Sequence, residues 1–333
     1  MKIFPTFQEL INNMLIAITI IIVLLGGVWL YMIHMPNVSF QGKAPPLNPV
    51  ERKLFNNLKS HVALLANDSR HHLNLAPSKN HIIDQFRSYG YQVSLQEYQL
   101  SDKTYANIEV ELLGKDKPEE IIIIGAHYDT IAGSPGANDN ASGVAGILEI
   151  ARLLSGQALS RTIRIVAFVN EEPPFFQTEA MGSLVYANRS AERGENIIGV
   201  IVLETIGYFR DEPGSQHYPP LIKIFYPDKG NFIAFVSNLS SRQLLREAIN
   251  IFRQHATIPS EGAALPAWIQ GVDWSDHSSF WKNGYPAIMI TDTAPYRYPY
   301  YHTAQDTPDK IDYEKMTHVV LAVQKIVEAL ANK

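Results

Sequence analysis

Ile121-Ile122-Ile123-Ile124-Gly125-Ala126-His127-Tyr128-Asp129 reads as a short strand buried on both faces that delivers chemistry-bearing side chains at its exit. Four consecutive isoleucines lack the alternation of a half-solvated strand, and wholly apolar runs of this kind mark a parallel sheet. Three further runs repeat the plan. Ile163 to Val169 leads into Asn170-Glu171-Glu172, Val200-Ile201-Val202-Leu203 leads into Glu204, and Ile288-Met289-Ile290 precedes an aromatic loop ending at Tyr301-His302-Thr303. A glycine-rich loop, Gly136 to Gly143, carries Asp139. Parallel sheets take up ligands outside the carboxyl ends of their strands. Histidines and carboxylates at several strand exits therefore have one place to meet.

Around these strands the pattern predicts helices at Pro49–Ala66, with Val50, Leu54, Leu58, Val62 and Leu65 on one face, and at Asn80–Tyr89. It predicts strands at Gln92–Leu100, Asn107–Leu113 and 120–125, then a helix over Asp139–Leu154 beginning in the glycine loop. Further helices are expected at Thr178–Asn188, Arg242–His255 and Ile311–Ala331, and a strand at Leu221–Phe225. Phe209–Pro220 and Pro259–Asp273 read as loops over the sheet edge. Alternating strands and helices imply an α/β three-layer fold, α/β/α, with a mixed, largely parallel central sheet.

The 333 residues are 46% apolar, enough for a large core, and the net charge of −5 comes without a basic run, so nucleic-acid binding has no support. Cysteine is absent, which excludes disulfides and thiolate catalysis and leaves a zinc ion only His, Asp and Glu as ligands. Met14 to Ile33 is uncharged and dominated by Ile, Leu and Val, matching the ~20 apolar residues of a membrane span. A buried core helix would carry a polar face. A cleaved signal peptide would close on a small-x-small site after ~7–15 apolar residues, but this run ends Tyr31-Met32-Ile33-His34-Met35. The reading is a retained signal-anchor. Residues 1–13 are then a cytoplasmic amino-terminus, 14–33 lie in the lipid bilayer, 34–48 form a proline-rich linker, and 49–333 are the large folded domain. Lys2 and the amino-terminus, offset by Glu9, outweigh Lys43 on the other flank. This positive-inside bias puts the domain outside the cytoplasm, in a bacterial periplasm or on a cell surface.

Taken singly, each candidate residue has an ordinary reading. His127 is a metal ligand held through its second nitrogen by Asp129 or by the backbone, or a buried structural histidine. Asp139 is a ligand brought in by the glycine loop, or a helix N-cap. Glu171-Glu172 are two adjacent carboxylates after a buried strand, costly unless a cation neutralises them, and one of them is free to take a proton from water. Glu204 ends a strand and needs a metal or a basic partner. His302 is a ligand or a surface histidine. Asp276-His277 is a ligand pair, a supporting carboxylate, or a cap for the Phe280-Trp281 segment. Their coincidence at consecutive strand exits favours the metal reading throughout.

In order, Ala126-His127-Tyr128-Asp129-Thr130, Asn138-Asp139-Asn140-Ala141-Ser142-Gly143, Asn170-Glu171-Glu172, Leu203-Glu204-Thr205-Ile206-Gly207, Ser275-Asp276-His277 and Tyr301-His302-Thr303 resemble the co-catalytic zinc exopeptidases. That family includes bacterial zinc aminopeptidases, glutaminyl-peptide cyclases, glutamate carboxypeptidase II and the non-enzymatic transferrin receptor ectodomain. The resemblance runs from about Val50 to Leu330. It implies two Zn2+ ions, one on His127 and Glu204, the other on Glu172 and His302, with Asp139 bridging. It further implies that Asp129 orients His127, that Glu171 is the general base, and that Asp276 is a supporting or substrate-contacting carboxylate. A cis peptide is implied at Asp139-Asn140. The position of Glu204 is often Asp in the family, so this ligand is one methylene longer. The implied activity is that of a membrane-anchored aminopeptidase on short peptides. A glutaminyl-peptide cyclase is the alternative, and a non-catalytic receptor ectodomain would have no need to keep all five ligands and the base.

Overall fold

The computed structural model describes residues 6–66, 70–220 and 222–333. In chain order the elements are α1 (Phe7–Ile33), α2 (Pro49–Leu65), α3 (Ala76–Ser88), β1 (Val93–Leu100), β2 (Lys103–Leu112), β3 (Lys117–His127), α4 (Gly143–Leu154) and β4 (Arg161–Phe168). They continue with α5 (Gly182–Glu192), β5 (Asn196–Glu204), β6 (Ile233–Ser237), α6 (Arg242–His255), β7 (Ser260–Ala264), α7 (His277–Lys282), β8 (Ala287–Thr291), α8 (Ala294–Arg297) and α9 (Tyr313–Ala331). One eight-stranded sheet runs β1-β2-β4-β3-β5-β8-β6-β7. β4, β3, β5 and β8 are mutually parallel, as are β6 and β7. β1/β2, β2/β4 and β6/β8 pair antiparallel.

The apolar runs behave as their composition requires. In β3, Ile122 and Ile124 enter the core beneath α2, α4, α6 and α9, whereas Ile121 and Ile123 enter the opposite core with Tyr186 of α5 and Phe280 of α7. Residues of a strand point alternately to its two faces, so an all-isoleucine strand fits only a sheet covered on both. Each fully buried isoleucine stabilises by roughly 1.5–3 kcal/mol.

Several expected boundaries move. The helix expected from Asp139 starts at Gly143, and residues 137–142 form a separate turn in which Asp139 and Asn140 keep non-helical backbone. The reason lies in Asn140, whose Oδ1 accepts from the amides of Gly143 (3.0 Å) and Thr205 (3.1 Å), so Asn140 and not Asp139 receives the helix start. The helix expected at Thr178–Asn188 begins at Gly182. That residue donates to the Val169 carbonyl at 2.8 Å and lies so close to this backbone that a Cβ would collide. Within Pro259–Asp273, expected as loop, Ser260–Ala264 is strand β7, which its Gly and Ala residues conceal. No element is predicted at Ile233–Ser237, which forms β6. Of the strand expected at Leu221–Phe225, Leu221 lies outside the described residues and Lys223–Phe225 is a single 3-10 turn, with Ile224 82% exposed. Val50, expected on the inner face of α2, is exposed.

α1 is one apolar helix of 27 residues, roughly 40 Å at ~1.5 Å per residue, long enough to cross a membrane. Lys2, on which the orientation rests, lies outside the described residues. The stretch that follows is laid on the domain. Arg253 of α6 donates to the carbonyls of Pro36 (3.0 Å) and Asn37 (2.9 Å), Asn37 donates to Asn250 (2.9 Å), and the Ser260 amide donates to Ser39 Oγ (2.8 Å).

Candidate metal centre

Four parallel strands bring the chemistry to one edge of the sheet. His127 is the last residue of β3 and Glu204 the last of β5; Glu171 and Glu172 follow β4, Asp139 sits in the turn before α4, and His302 lies in the loop after β8. Their side chains converge. His127 Nε2 stands 3.3 Å from Asp139 Oδ1 and 3.2 Å from Glu204 Oε2, and His302 Nε2 stands 3.0 Å from Asp139 Oδ2 and 3.3 Å from Glu172 Oε2. Two sets result, His127-Asp139-Glu204 and Asp139-Glu172-His302, each with its ligand atoms within 4.8 Å of one another and sharing Asp139. Glu171 borders them, its Oε2 3.9 Å from His127 Nε2.

The donor set fits zinc. Both imidazole Nε2 atoms are buried and, among the described residues, make no well-aligned hydrogen bond, although carboxylate oxygens surround them. Three or four carboxylates in one buried space repel unless cations separate them. The electrostatics of the bare cluster say the same. Burial pushes the Glu171 carboxyl well above its usual range, against the pull of His127. Burial and Asp139 lift Glu172 to about 7 against His302, and burial also raises Glu204 against His127. Burial would raise Asp139 too, but its contacts with His127 and His302 leave it low. Burial disfavours imidazolium, yet Glu204 and Glu171 carry His127 well upward, while Asp139 and Glu172 carry His302 up to about 10. Without an ion, protons gather where cations belong.

Surrounding groups fix this arrangement. His127 Nδ1 meets the Asp129 backbone carbonyl at 3.2 Å and the Asp129 carboxylate at 3.6 Å, so the expected orienting contact is shared between main chain and side chain. The same carboxylate accepts from the amides of Glu171 and Glu172, both at 3.1 Å, and so ties the β4 exit to the β3 exit. Glu204, despite its extra methylene, pairs with no Arg or Lys among the described residues; it faces His127 and accepts from Ser275 Oγ at 2.7 Å. Asp276 is fully buried close to Ser183, and burial lifts it to about 7 against His127. His277 turns away, its Nε2 2.8 Å from the Val272 carbonyl, and burial holds it down at about 4. The Asp139-Asn140 peptide is cis. Asn170, Thr205 and His302 have φ of 59°, 50° and 58°, a region costly for a β-branched residue such as Thr205 and tolerated where contacts dictate it.

Three residues that support the site escaped the sequence reading. Asp306 accepts from the amides of Asn138 (2.8 Å) and Asp139 (3.1 Å) and from Tyr298 Oη (2.8 Å). Asp292, just past β8, accepts from Asn138 Nδ2 (2.9 Å), Gly207 N (3.1 Å) and Tyr208 N (2.8 Å). The strand-exit rule applied to Ile288-Met289-Ile290 would have found it. Arg70, 2% exposed, donates to the carbonyls of Leu65, Tyr128, Pro135 and Gly136 behind the cluster, and nothing in its neighbourhood of the sequence marks it.

Similarity to known proteins agrees with this geometry. "Uncharacterized protein YfbL" of Escherichia coli K12 is 42% identical over 256 residues, 74% of this chain and 78% of that protein. "Probable leucine aminopeptidase 1" of Trichophyton verrucosum is 27% identical over 227 residues, 63% of this chain; the match spans only about half, 54%, of the fungal protein. Among solved structures, LapB of Legionella pneumophila superposes with a TM-score of 0.65 at 24% identity, over 89% of this chain and 79% of its own. The glutaminyl cyclase of Fimbriiglobus ruber gives 0.60 at 19% identity, over 86% and 97%. These two share the fold. Residues 107–327 match peptidase family M28. By that match, and with a buried His, Asp and Glu cluster suited to zinc, the chain belongs to peptidase family M28, the zinc metallopeptidases.

Proposed function

We propose that the protein is a membrane-anchored aminopeptidase that removes amino-terminal residues from short peptides, using two zinc ions. The observation that carries this is the pair of three-residue sets sharing Asp139, with Glu171 beside them and outside both. His127 and Glu204 would hold one ion, Glu172 and His302 the other, and Asp139 both. Bound zinc lowers the pKa of water and polarises a scissile carbonyl. Glu171 takes the proton of the attacking water and hands it to the leaving amine. Because Glu171 lies outside both three-residue sets, its carboxylate stays free of the ions and available for both transfers. Asp129 holds His127 and the Glu171-Glu172 backbone in place.

The supporting feature for an exopeptidase is a largely apolar cavity of about 120 Å³ that opens beside Glu204 and Tyr301, large enough for one side chain. α1 is read as a retained anchor, with the domain outside the cytoplasm.

The test is Glu171→Gln in the zinc-loaded protein. Turnover of aminoacyl amides should fall ~10²–10⁴-fold, with zinc content unchanged. Activity within twofold of the parent refutes the assignment. Release of pyroglutamate from glutaminyl peptides, in place of free amino acids, would replace the aminopeptidase with a cyclase.

A further inference from the structure

The floor of the cavity beside Glu204 is a single row across four strands. Glu204 of β5 pairs in register with Thr291 of β8, Thr291 with Ala234 of β6, and Ala234 with Glu261 of β7. All four line the cavity. Residues in register share a face, and three strand spacings of ~4.8 Å set Glu261 roughly 14 Å from Glu204 along the row. The next residue, Gly262, faces the other way, where a Cβ would press on Ile249 of α6 and on Met35. Glu261 therefore looks into the cavity.

It is an unusual floor residue. Among the described residues the Glu261 carboxylate has no hydrogen bond and no ion pair. Burial raises its pKa, opposed only by the more distant Arg253. Arg253 is committed elsewhere, its donors directed to Pro36, Asn37 and Ser260. The walls are aromatic, with Tyr218 and Tyr226 stacked at 5.9 Å and the Tyr226 hydroxyl fixed on the Gly262 carbonyl at 2.9 Å. Such rings accept the stem of a long side chain and attract a cation over their faces.

We propose that Glu261 makes this cavity a receptor for the cationic side chain of an amino-terminal lysine or arginine. The proposal rests on the aminopeptidase reading above. Lengths agree. A lysine or arginine side chain spans about 6–7 Å from Cα to its terminal nitrogens. Adding ~3 Å for a charge-assisted contact at Glu261 and a similar approach at the Glu204 end covers most of the ~14 Å row. A leucine side chain is shorter and stops between Thr291 and Ala234, and the small size of Ala234 leaves the path beyond it open. The competing reading of Glu261 is an inward-facing charge that guards edge strand β7 from pairing. That role needs no cavity, and residues 34–39 already lie along this edge.

The experiment compares lysyl, arginyl, norleucyl and leucyl amides on the zinc-loaded full chain; norleucine keeps the lysine stem without the ammonium. The lysyl-to-norleucyl ratio of kcat/KM should be about tenfold or more, because a site built for a charged group rejects the analogue lacking it. Glu261→Gln should bring this ratio close to one. A parent enzyme that favours norleucyl over lysyl amide overturns the proposal, and so does a ratio that survives Glu261→Gln, which leaves the edge-guard role. If Glu261→Gln loses all activity, inhibition of the parent decides: free L-lysine must bind more tightly than L-norleucine, and equal inhibition overturns the proposal. Cleavage of leucyl but not lysyl amide sinks Glu261 alone. Cleavage of no aminoacyl amide sinks the aminopeptidase reading and takes this proposal with it.

Discussion

Replacing Arg70 with methionine keeps most of the side-chain volume and removes every donor behind the metal cluster. Arg70 reaches four carbonyl oxygens, Leu65 at 2.6 Å, Pro135 at 2.7 Å, Gly136 at 2.8 Å and Tyr128 at 3.0 Å. Gly136 keeps a second donor in the Ala141 amide, and the Pro135 contact is only partly buried, open to water. Among the described residues Leu65 and Tyr128 keep no second donor and are left as buried acceptors. At ~1–3 kcal/mol for each stranded acceptor, the expected loss is about 3–4 kcal/mol. The guanidinium also faces Asp306, Asp139, Asp129 and Glu172, and although burial lowers it to about 10 it stays charged at neutral pH. Losing that charge should hurt the metal-free protein more than the zinc-loaded one. Calorimetric unfolding with chelator and with zinc measures both. For a domain of this size ~2–4 °C per kcal/mol predicts a fall of about 6–16 °C in the metal-free Tm and a smaller one with zinc. Arg70→Lys, with one ammonium for four oxygens, should recover less than half. A Tm within about 2 °C of the parent for Arg70→Met refutes the reasoning.

Asp306→Asn puts an amide against the backbone N–H groups of Asn138 and Asp139, loosening the turn that carries the shared carboxylate. Zinc titration should show affinity weakened ~10–100-fold, with the unfolding transition still cooperative. His81, 3.2 Å from His61 Nδ1 between α2 and α3, is held down at about 4 by burial and the neighbouring imidazole. A depressed histidine contributes stability that is complete above the unfolded pKa near 6.5 and lost as pH falls from there towards 4. Because His81 is part-exposed, screening limits this to about 1 kcal/mol, and His81→Gln should flatten that stretch of the stability–pH profile. If α1 is a retained anchor, the protein should stay in the membrane fraction through a carbonate wash. A soluble species beginning near Asn37 would identify a cleaved leader instead.

The parts of this molecule most legible in the sequence are those where one residue type does one thing over several positions. Ile121 to Ile124 can only be buried on both faces, and that fixed the sheet, its parallel centre and the edge at which His127, Glu171, Glu172 and Glu204 emerge. Asp139 and His302 were harder, since a loop residue carries no periodicity; their neighbours Asn138, Asn140, Tyr301 and Thr303 supplied the recognition through resemblance. Edge strand β7 was hidden because Gly262, Ala263 and Ala264 have weak strand preference and are held there by β6 and α6. Arg70 was invisible for another reason. Its partners are backbone carbonyls from Leu65 to Gly136, and a side chain that bonds to main chain leaves no pattern in the residues it touches.

The way residues 34–39 lie on the domain bears on how it can be handled in isolation. Met35 fills the space above Gly262, Ser39 caps the Ser260 amide, and Arg253 clasps Pro36 and Asn37, so the segment is a cover for the outer strand of the sheet. A soluble form cut at Pro49, where the first helix of the domain begins, would uncover that strand and leave its backbone open to a second molecule, a route to edge-to-edge association. A form cut at Val28 would keep the cover, including Met32 in its cluster with Ala263 of β7, while discarding most of the helix. The two should differ in oligomeric state at equal activity per site, which would make residues 34–39 part of the solubility of the domain.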